Sequence, residues 1–425
     1  MRVCMIVPRY PPDRCGVGDY TYLLAWHLAR CGVSVDILTS RALTKAVSFP
    51  PPDFVGSRAG TGTATREIKE IRVRVLPVIN AWGWRSLPRL CSVAWAGRYD
   101  VIHVQYQNEM YGRSASITAL SLALRAIRPN LPTVVTVHDY GTPWPRRLRV
   151  RLLAGLYGKA WFAAMLMAAR QVVLTNEQDE FRFLRQSLRY PVPASRYVTI
   201  PIGSNLPGAD AANPPADAQQ ALARLDGLIA SVSTITVGYF GFVNPAKGVD
   251  TLLEGFAIAR RQRPHLHLVM ICQLRRDDPY HATILDRIGQ PDLADGVTVT
   301  GELQDSQAAD ALAHCDIVAF PYHDGVSLRR GTLMAALALG RPVISTRAVV
   351  PPTMLDDGHD IVLVPAQDAQ ALAQAIIELA DDPDQRARLG AHAREAAHAF
   401  TWPTIAERTA QLYRQVVAQL EQGSA

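Results

Sequence analysis

Short runs that are apolar at almost every position alternate along this chain with longer stretches in which apolar residues recur every third or fourth place. In the first half the short runs are RVCMIV (2–7), VSVDILT (33–39), IRVRVLPVI (71–79), DVIHVQY (100–106), TVVTVHD (133–139), QVVLT (171–175) and YVTIPI (197–202). Strands covered by helices on both faces lose the in–out alternation of a half-exposed sheet. Near-continuous apolar strands separated by helices therefore predict a parallel sheet. The stretch NLPGADAANPPADAQQ (205–220) is rich in Ala, Pro and Asp and has no apolar period, the composition of a boundary between domains. A second series follows: TITVGYFGF (234–242), LHLVMICQL (266–274), GVTVTGEL (296–303), CDIVAFPY (315–322), RPVIST (341–346) and DIVLVPA (360–366). Helical spacing closes the chain in AQALAQAIIELADD (369–382) and WPTIAERTAQLYRQVVAQL (402–420). The pattern predicts an α/β protein of two doubly wound, Rossmann-like domains, 1–205 and 206–398, followed by a helical segment at 399–425. Sheets of this kind bind ligands beyond the carboxyl ends of their strands, which places function in the loops there and in a cleft between the domains.

Length agrees with two domains, since 425 residues exceed one ordinary core. Apolar residues make up 48% of the chain and charged residues 19%, a globular composition that excludes extensive disorder outside linkers. The cysteines, at 4, 15, 31, 91, 272 and 315, form no C-x-x-C pair, which argues against a zinc site or a disulfide framework and for a reducing, cytoplasmic setting. A net charge of +6 and a pI near 9.0 favour anionic partners. Basic and aromatic residues are not interleaved as in nucleic-acid binders, so nucleic acid is not among the expected ones. The start, MRVCMIVPRYPPD, runs from a short strand into a proline-rich loop without the pattern of a secretory signal. LLAGLYGKAWFAAMLMAAR (152–170) is interrupted by Lys159 and falls short of the ~20 apolar residues of a spanning helix. Segment 144–170 mixes Arg146, Arg147, Arg149, Arg151 and Lys159 with Trp144, Leu152, Leu153, Leu156 and Trp161. Two readings stand for it: peripheral contact with anionic lipid at the inner membrane face, or a core helix with a basic solvent face.

Candidate chemistry collects in the loops after strands. DGVSLRRGTLMAALALGRPVIST (324–346) sets Arg329, Arg330 and Gly331 in front of a helical run. Helix amino termini present unpaired N–H groups and partial positive charge, so added arginines point to an anionic ligand, most often phosphate, against the alternative of a solvated basic turn. In GFVNPAKGVDTLLEGF, Lys247 and Gly248 precede a helix that begins near Asp250 and follows the first strand of the second domain. A lysine there reaches phosphate oxygens, and the two features can converge on one diphosphate. In the first domain Gly16 and Gly18 precede a helix and allow close approach of backbone to a ligand. A dinucleotide fingerprint would continue with a small residue at 21 and an acid after the second strand, where Thr21 and Thr39-Ser40 stand instead. His138 and Asp139 end a strand at the edge where functional side chains are exposed, whereas His103, inside an apolar strand, reads as structural. Asp277 and Asp278 lack a third ligand at metal-binding spacing and read as a solvated loop.

Taken together, YPPDRCGVGDYTYLLAWHLARCGVSVDILT, VVTVHD, IPIGSN, GFVNPAKGVDTLLEGF, GELQDSQAADALAHCDIVAFP, ALALGRPVIST and DDGHDIVLVPAQDAQALAQAI resemble, in order and spacing, a GT-B glycosyltransferase of the retaining family 4 (group 1) type. The resemblance runs over nearly the whole chain. It implies that a nucleotide-diphosphate sugar, a UDP- or GDP-sugar, binds mainly to the second domain as donor substrate, with no tightly bound cofactor and no metal. A sugar, glycolipid or other hydroxyl acceptor would bind mainly to the first domain, in polysaccharide or glycoconjugate biosynthesis, and the terminal helix would cross back to it. His138 would contact the donor sugar, and Gly16 and Gly18 would lie near the diphosphate. Lys247 would hold the diphosphate, and the amides around Arg330, Gly331 and Thr332 would receive its oxygens. The expected reaction is transfer with retention, by same-face attack in which the departing phosphate oxygen helps deprotonate the acceptor.

The chain departs from the family pattern at two places. Phe242 stands where relatives have an arginine, and the paired glutamates spaced E-x7-E fall on Ser327 and Ala335. The segment is about two residues longer than usual by comparison with that pattern, so Asp324 is the carboxylate expected to contact the sugar, with Ser327 in the family register. Either Glu302 or main-chain groups would then hold the ribose, or its recognition would be weaker, and Arg329 and Arg330 would replace the missing cation on the diphosphate. The missing carboxylates leave a second reading, a catalytically inactive binding or scaffold protein on the same frame. A pyridoxal-phosphate phosphorylase finds no support.

Overall fold

The computed structural model describes residues 1–11, 13, 15–41, 73–112, 116–139, 160–177, 192–204, 234–303 and 305–423. They form two compact units, one built from the chain up to Ile202 together with Trp402 onward, the other from Gly203–Thr401.

The first unit holds a parallel sheet of β1 (Arg2–Ile6), β2 (Ser34–Ser40), β3 (Val73–Ile79), β4 (Val101–Gln107), β5 (Thr133–Asp139), β6 (Gln171–Leu174) and β7 (Tyr197–Thr199). Their order is β3-β2-β1-β4-β5-β6-β7. In β1 the consecutive residues Val3, Cys4, Met5 and Ile6 are all buried, so both faces are covered, as the unbroken apolar run predicts. Pro77 is accommodated because β3 lies at the sheet edge, where a missing N–H costs least. Gly16–Arg30 and Trp402–Gly423 are helices packed on one another. The second of these is tied to the sheet by Tyr413, whose hydroxyl lies 2.5 Å from His103 Nδ1. With Thr136 Oγ1 2.7 Å from its Nε2, His103 is a structural residue, consistent with its place inside an apolar strand.

The second unit holds β8 (Ile235–Phe240), β9 (Leu266–Ile271), β10 (Val297–Val299), β11 (Ile317–Phe320), β12 (Val343–Thr346) and β13 (Val362–Val364). The order β10-β9-β8-β11-β12-β13 reverses direction between β8 and β11, the switch point beyond whose carboxyl ends sheets of this kind bind ligands. The helix Pro383–Ala397 has no counterpart in the sequence reading. Its buried stripe is only Leu389, Ala393 and Ala397 beside Gly390, too narrow and too small-sided to give a strong apolar period. The usable signal was its start, where Asp382 accepts from the Gln385 N–H ahead of Pro383. Asp278 is likewise a helix cap, accepting from the N–H groups of Tyr280 and His281. Among the described residues no helix is long and apolar enough to cross a membrane.

Candidate functional site

In the second unit the loops after β8 and β11 meet. After β8 the chain makes a single turn, Pro245–Lys247, capped by the Asn244 side chain, and passes through Gly248 into the helix Val249–Gln262. Gly248 has φ 69°, and a Cβ there would fall 1.9 Å from the carbonyl oxygen of Pro321. Only glycine lets the two loops approach this closely. The His323 N–H donates to the Ala246 carbonyl, which completes the junction.

Tyr322, one residue beyond Pro321, is buried between these loops, and its hydroxyl lies 2.9 Å from Thr332 Oγ1. Lys247 Nζ sits 5.2 Å and the Arg330 guanidinium 4.4 Å from its ring centroid, so one aromatic ring organises both cations. Burial pushes the phenol up to about 12, which keeps it neutral. Arg330 is also the N-cap of the helix Gly331–Ala338 and has no side-chain cap of its own. The first amides of that helix are therefore left for an external acceptor.

Asp324 pairs with Arg330, and its other oxygen is 3.7 Å from Arg329. The expected sugar-contacting carboxylate is thus held among the cations. Three cations, Lys247, Arg329 and Arg330, face one carboxylate here, which leaves two positive charges, enough for a diphosphate. The Arg330 side chain is 11% exposed and that of Arg329 32%, so Arg330 is the one built into the site. Ser327 is buried and its carbonyl accepts from the Arg330 N–H. Ser327 Oγ and Arg330 Nε are buried without a hydrogen-bond partner among the described residues, two polar groups that a bound ligand or water could satisfy. Burial, then Arg330, lowers the Lys247 ammonium to about 8, with Asp324 opposing.

Glu302 does not join this group. It is exposed and follows β10, two strands away from β8 at the sheet edge. Ala335 lies buried within the helix Gly331–Ala338. Phe242, in the loop after β8, is 89% exposed.

In the first unit Gly16 and Gly18 do not precede the helix but form its first turn. Gly16 is exposed with open space around it, whereas a Cβ at Gly18 would fall 2.8 Å from the Arg9 carbonyl oxygen. The close approach that Gly18 permits is to the chain's own loop after β1.

His138 stands at the end of β5 with its Nε2 2.8 Å from Gln105 Oε1 and its ring edge-on to Tyr20 at 4.7 Å. Gln105 is fully buried beside His103, its amide nitrogen 3.4 Å from both ring nitrogens. The amide nitrogen of Gln105 is turned to the His103 ring and its oxygen to His138. His138 then carries its proton on Nε2 and the lone pair on Nδ1. Burial holds this imidazole down to about 3, so it is neutral at physiological pH. Asp139 ends β5, and its side chain lies outside the described residues, as do 144–159 of the basic segment. The cavity lined by Met1, Cys31, Asp100, Arg414 and Glu421 is at the opposite, amino-terminal edge of the sheet and holds none of these groups. Among the described residues no three His, Cys, Asp or Glu side chains stand together as a metal site.

Residues 234–382 match the family described as glycosyl transferases group 1, and 15–203 match the glycosyl transferase 4-like domain. The chain is 26% identical over 435 residues to a D-inositol 3-phosphate glycosyltransferase of Kineococcus radiotolerans, covering 95% of this chain and 91% of the relative. Among solved structures, a sucrose-phosphate synthase from Thermosynechococcus elongatus superposes with a TM-score of 0.67 at 24% identity, over 99% of this chain and all (100%) of that one. Anabaena HepE, solved in complex with UDP, gives 0.66 at 17% identity, over 98% and 100%.

Proposed function

The chain belongs to the group 1 glycosyltransferases and has their GT-B fold, and from that premise we propose that it transfers a sugar, with retention and without a metal ion, from a nucleotide-diphosphate sugar held by the second unit. The observation that carries this reading is the convergence of Lys247, Arg330 and the amino terminus of Gly331–Ala338 around Tyr322. When the anomeric bond breaks, its electron pair goes to the diphosphate, whose charge rises. Preorganised cations and helix amides act most strongly on that developing charge. The acceptor hydroxyl attacks the same face and gives its proton to the departing phosphate oxygen, so no separate carboxylate base is needed. Asp324 leaves Arg330 for a sugar hydroxyl as phosphate takes its place. His138, through Nδ1, accepts a hydrogen bond from a sugar hydroxyl. Gly16, in the open first turn of its helix, lies near the diphosphate, while Gly18 serves packing. Main-chain groups rather than Glu302 hold the ribose.

The donor is a UDP- or GDP-sugar. A UDP-sugar is the first choice because Anabaena HepE was solved with UDP. The acceptor is a polyol or sugar hydroxyl, in keeping with an inositol phosphate glycosyltransferase among the relatives. Thermal unfolding with a panel of UDP-, GDP- and ADP-sugars tests the reading. The matched donor at 100 times its Kd should add ~2.7 kcal/mol to stability and undergo slow hydrolysis even without acceptor. No stabilisation by any of them defeats the donor assignment, and stabilisation without any turnover favours an inactive binding protein. EDTA should leave turnover unchanged, and a product anomer opposite to the donor's, seen by NMR, would rule out retention.

Lys247 sets a pH dependence. Its ammonium, at about 8, is charged below that value and loses its proton above it. A nucleotide sugar keeps its diphosphate charge across this range, so its affinity should be highest below about 8 and fall as pH rises through it. Calorimetric titration over that interval checks the trend, and Lys247→Arg should flatten it.

A further inference from the structure

Apart from Met1, the large apolar side chains exposed among the described residues of the first unit gather on one face. Trp84 (47% exposed), Trp95 (61%), Leu122 (38%), Ile127 (49%) and Met167 (39%) come from the turn Trp84–Ser86, the helices Leu87–Ala96 and Ser116–Ile127, and the helix at residues 160–168. These elements are contiguous. The helices Leu87–Ala96 and Ser116–Ile127 pack together, Trp84 meets Trp161 edge-on at 5.2 Å, and Arg128 lies over the Trp95 ring at 5.9 Å. Arg125 and Arg196 both donate to the Met167 carbonyl. The exposed apolar groups are not the rim of the core stripe, because the same helices bury Leu90, Ala94, Leu120, Leu124, Met165 and Leu166 against the sheet.

Among the described residues of these elements the charge has one sign. No Asp or Glu occurs in 73–99, 116–138 or 160–176, while Arg85, Arg89 and Arg125 are exposed and Arg128 and Arg196 half-buried. A nucleic acid would use the arginines and the tryptophan rings but has no use for exposed Leu122, Ile127 and Met167. A protein partner of mixed charge would leave so many arginines without acids to meet. A bilayer with anionic headgroups matches all three: phosphates for the arginines, the headgroup boundary for tryptophan, and acyl chain for the aliphatic groups.

We propose that this three-helix face of the first unit, with Trp84 and Trp95 inserted and Arg85 and Arg89 on the headgroups, docks the protein on an anionic membrane surface. It stands on described residues, whereas 144–159 of the basic segment lie outside them. It is also independent of the donor assignment.

Sedimentation of the full chain with vesicles tests it. The protein should bind vesicles containing phosphatidylglycerol, with affinity falling as salt rises, and should not bind phosphatidylcholine alone. The double substitutions Trp84→Ala/Trp95→Ala and Arg85→Gln/Arg89→Gln should each weaken binding by about ten-fold or more, while nucleotide-sugar stabilisation stays at the wild-type level, showing that both variants fold. Brominated acyl chains should quench tryptophan fluorescence in the wild type and markedly less in the tryptophan variant. Absence of binding to anionic vesicles, equal binding by wild type and both variants, or a self-associated species that these substitutions dissociate in place of vesicle binding would each overturn the proposal.

Discussion

Alanine at Lys247 or at Arg330 should each weaken binding of a nucleotide sugar by ~1.5–3 kcal/mol, the usual range for hydrogen bonds to charged groups. Binding of the corresponding nucleoside should not change. The two effects will not add, because both cations rest on the Tyr322 ring and each lies in the other's field. Turnover should fall further than affinity, since charge on the leaving phosphate grows as the bond breaks. Arg329→Ala should do much less, its side chain being about three times as exposed as that of Arg330. Isothermal titration with the nucleotide sugar and the nucleoside, alongside single-turnover rates, separates these effects. Full affinity and turnover in the Arg329 and Arg330 alanine variants would return the stretch to a solvated basic turn.

Asp324 refines the same test. Its carboxylate sits on Arg330 and must give way when phosphate arrives, so Asp324→Asn should raise affinity for the free nucleoside diphosphate a few-fold, within the ~1 kcal/mol typical of a partly exposed pair. If Asp324 then turns to a sugar hydroxyl, the same variant should bind nucleotide sugar no better than wild type and turn it over more slowly.

The alternation of apolar runs was enough to read the fold. Each of the thirteen runs falls on one strand of the two sheets, with β2 and β4 reaching one residue further, because central strands buried on both faces leave a continuous apolar signature and the half-buried edge strands β3 and β10 keep part of it. The ends were less legible: RVCMIV and YVTIPI run past the assigned strands, where Val7 and Ile200 each still donate one backbone bond to the next strand, at the Leu38 and Leu174 carbonyls, before the chain leaves the sheet. Lys247 and SLRRG were legible because charge at a helix start has few structural uses. Tyr322 was not, since an aromatic after Pro321 reads as the end of a buried strand, and only the meeting of two loops at Gly248 makes its face a platform. The pairing of Asp324 with Arg330 was hidden for the opposite reason, as six residues of loop bring together side chains that no periodicity links. Gln105 carried no signal either: inside HVQYQ it is one of three polar residues with nothing to set it apart, and its importance lies in its neighbour across the sheet.

Substitution of Gln105 should have a large effect at a distance from the phosphate. Its side-chain oxygen takes the Nε2 proton of His138, which leaves the lone pair on Nδ1 to accept from a sugar hydroxyl. Gln105→Leu removes that acceptor and buries an unpaired N–H, a loss of ~1–3 kcal/mol, about 5- to 150-fold in kcat if the hydrogen bond matters in the transition state. His138→Ala should cost a similar amount, and the double variant little more than either, because one interaction is being removed twice. Neither change should alter nucleoside diphosphate binding. Gln105→Glu distinguishes positioning from simple packing. A carboxylate keeps the shape and the acceptor but favours the imidazolium, so the His138 pKa should rise from about 3 towards the working range. The neutral ring is the form that can accept at Nδ1, so turnover in the Glu variant should fall as pH drops through the raised value, where the wild type shows no such limb. Nitrogen NMR of the His138 ring should report Nε2–H in the wild type and a mixture of tautomers in Gln105→Leu. An Nδ1–H ring in the wild type, or a Gln105→Glu variant whose pH profile matches it, would remove Gln105 from any part in orienting His138.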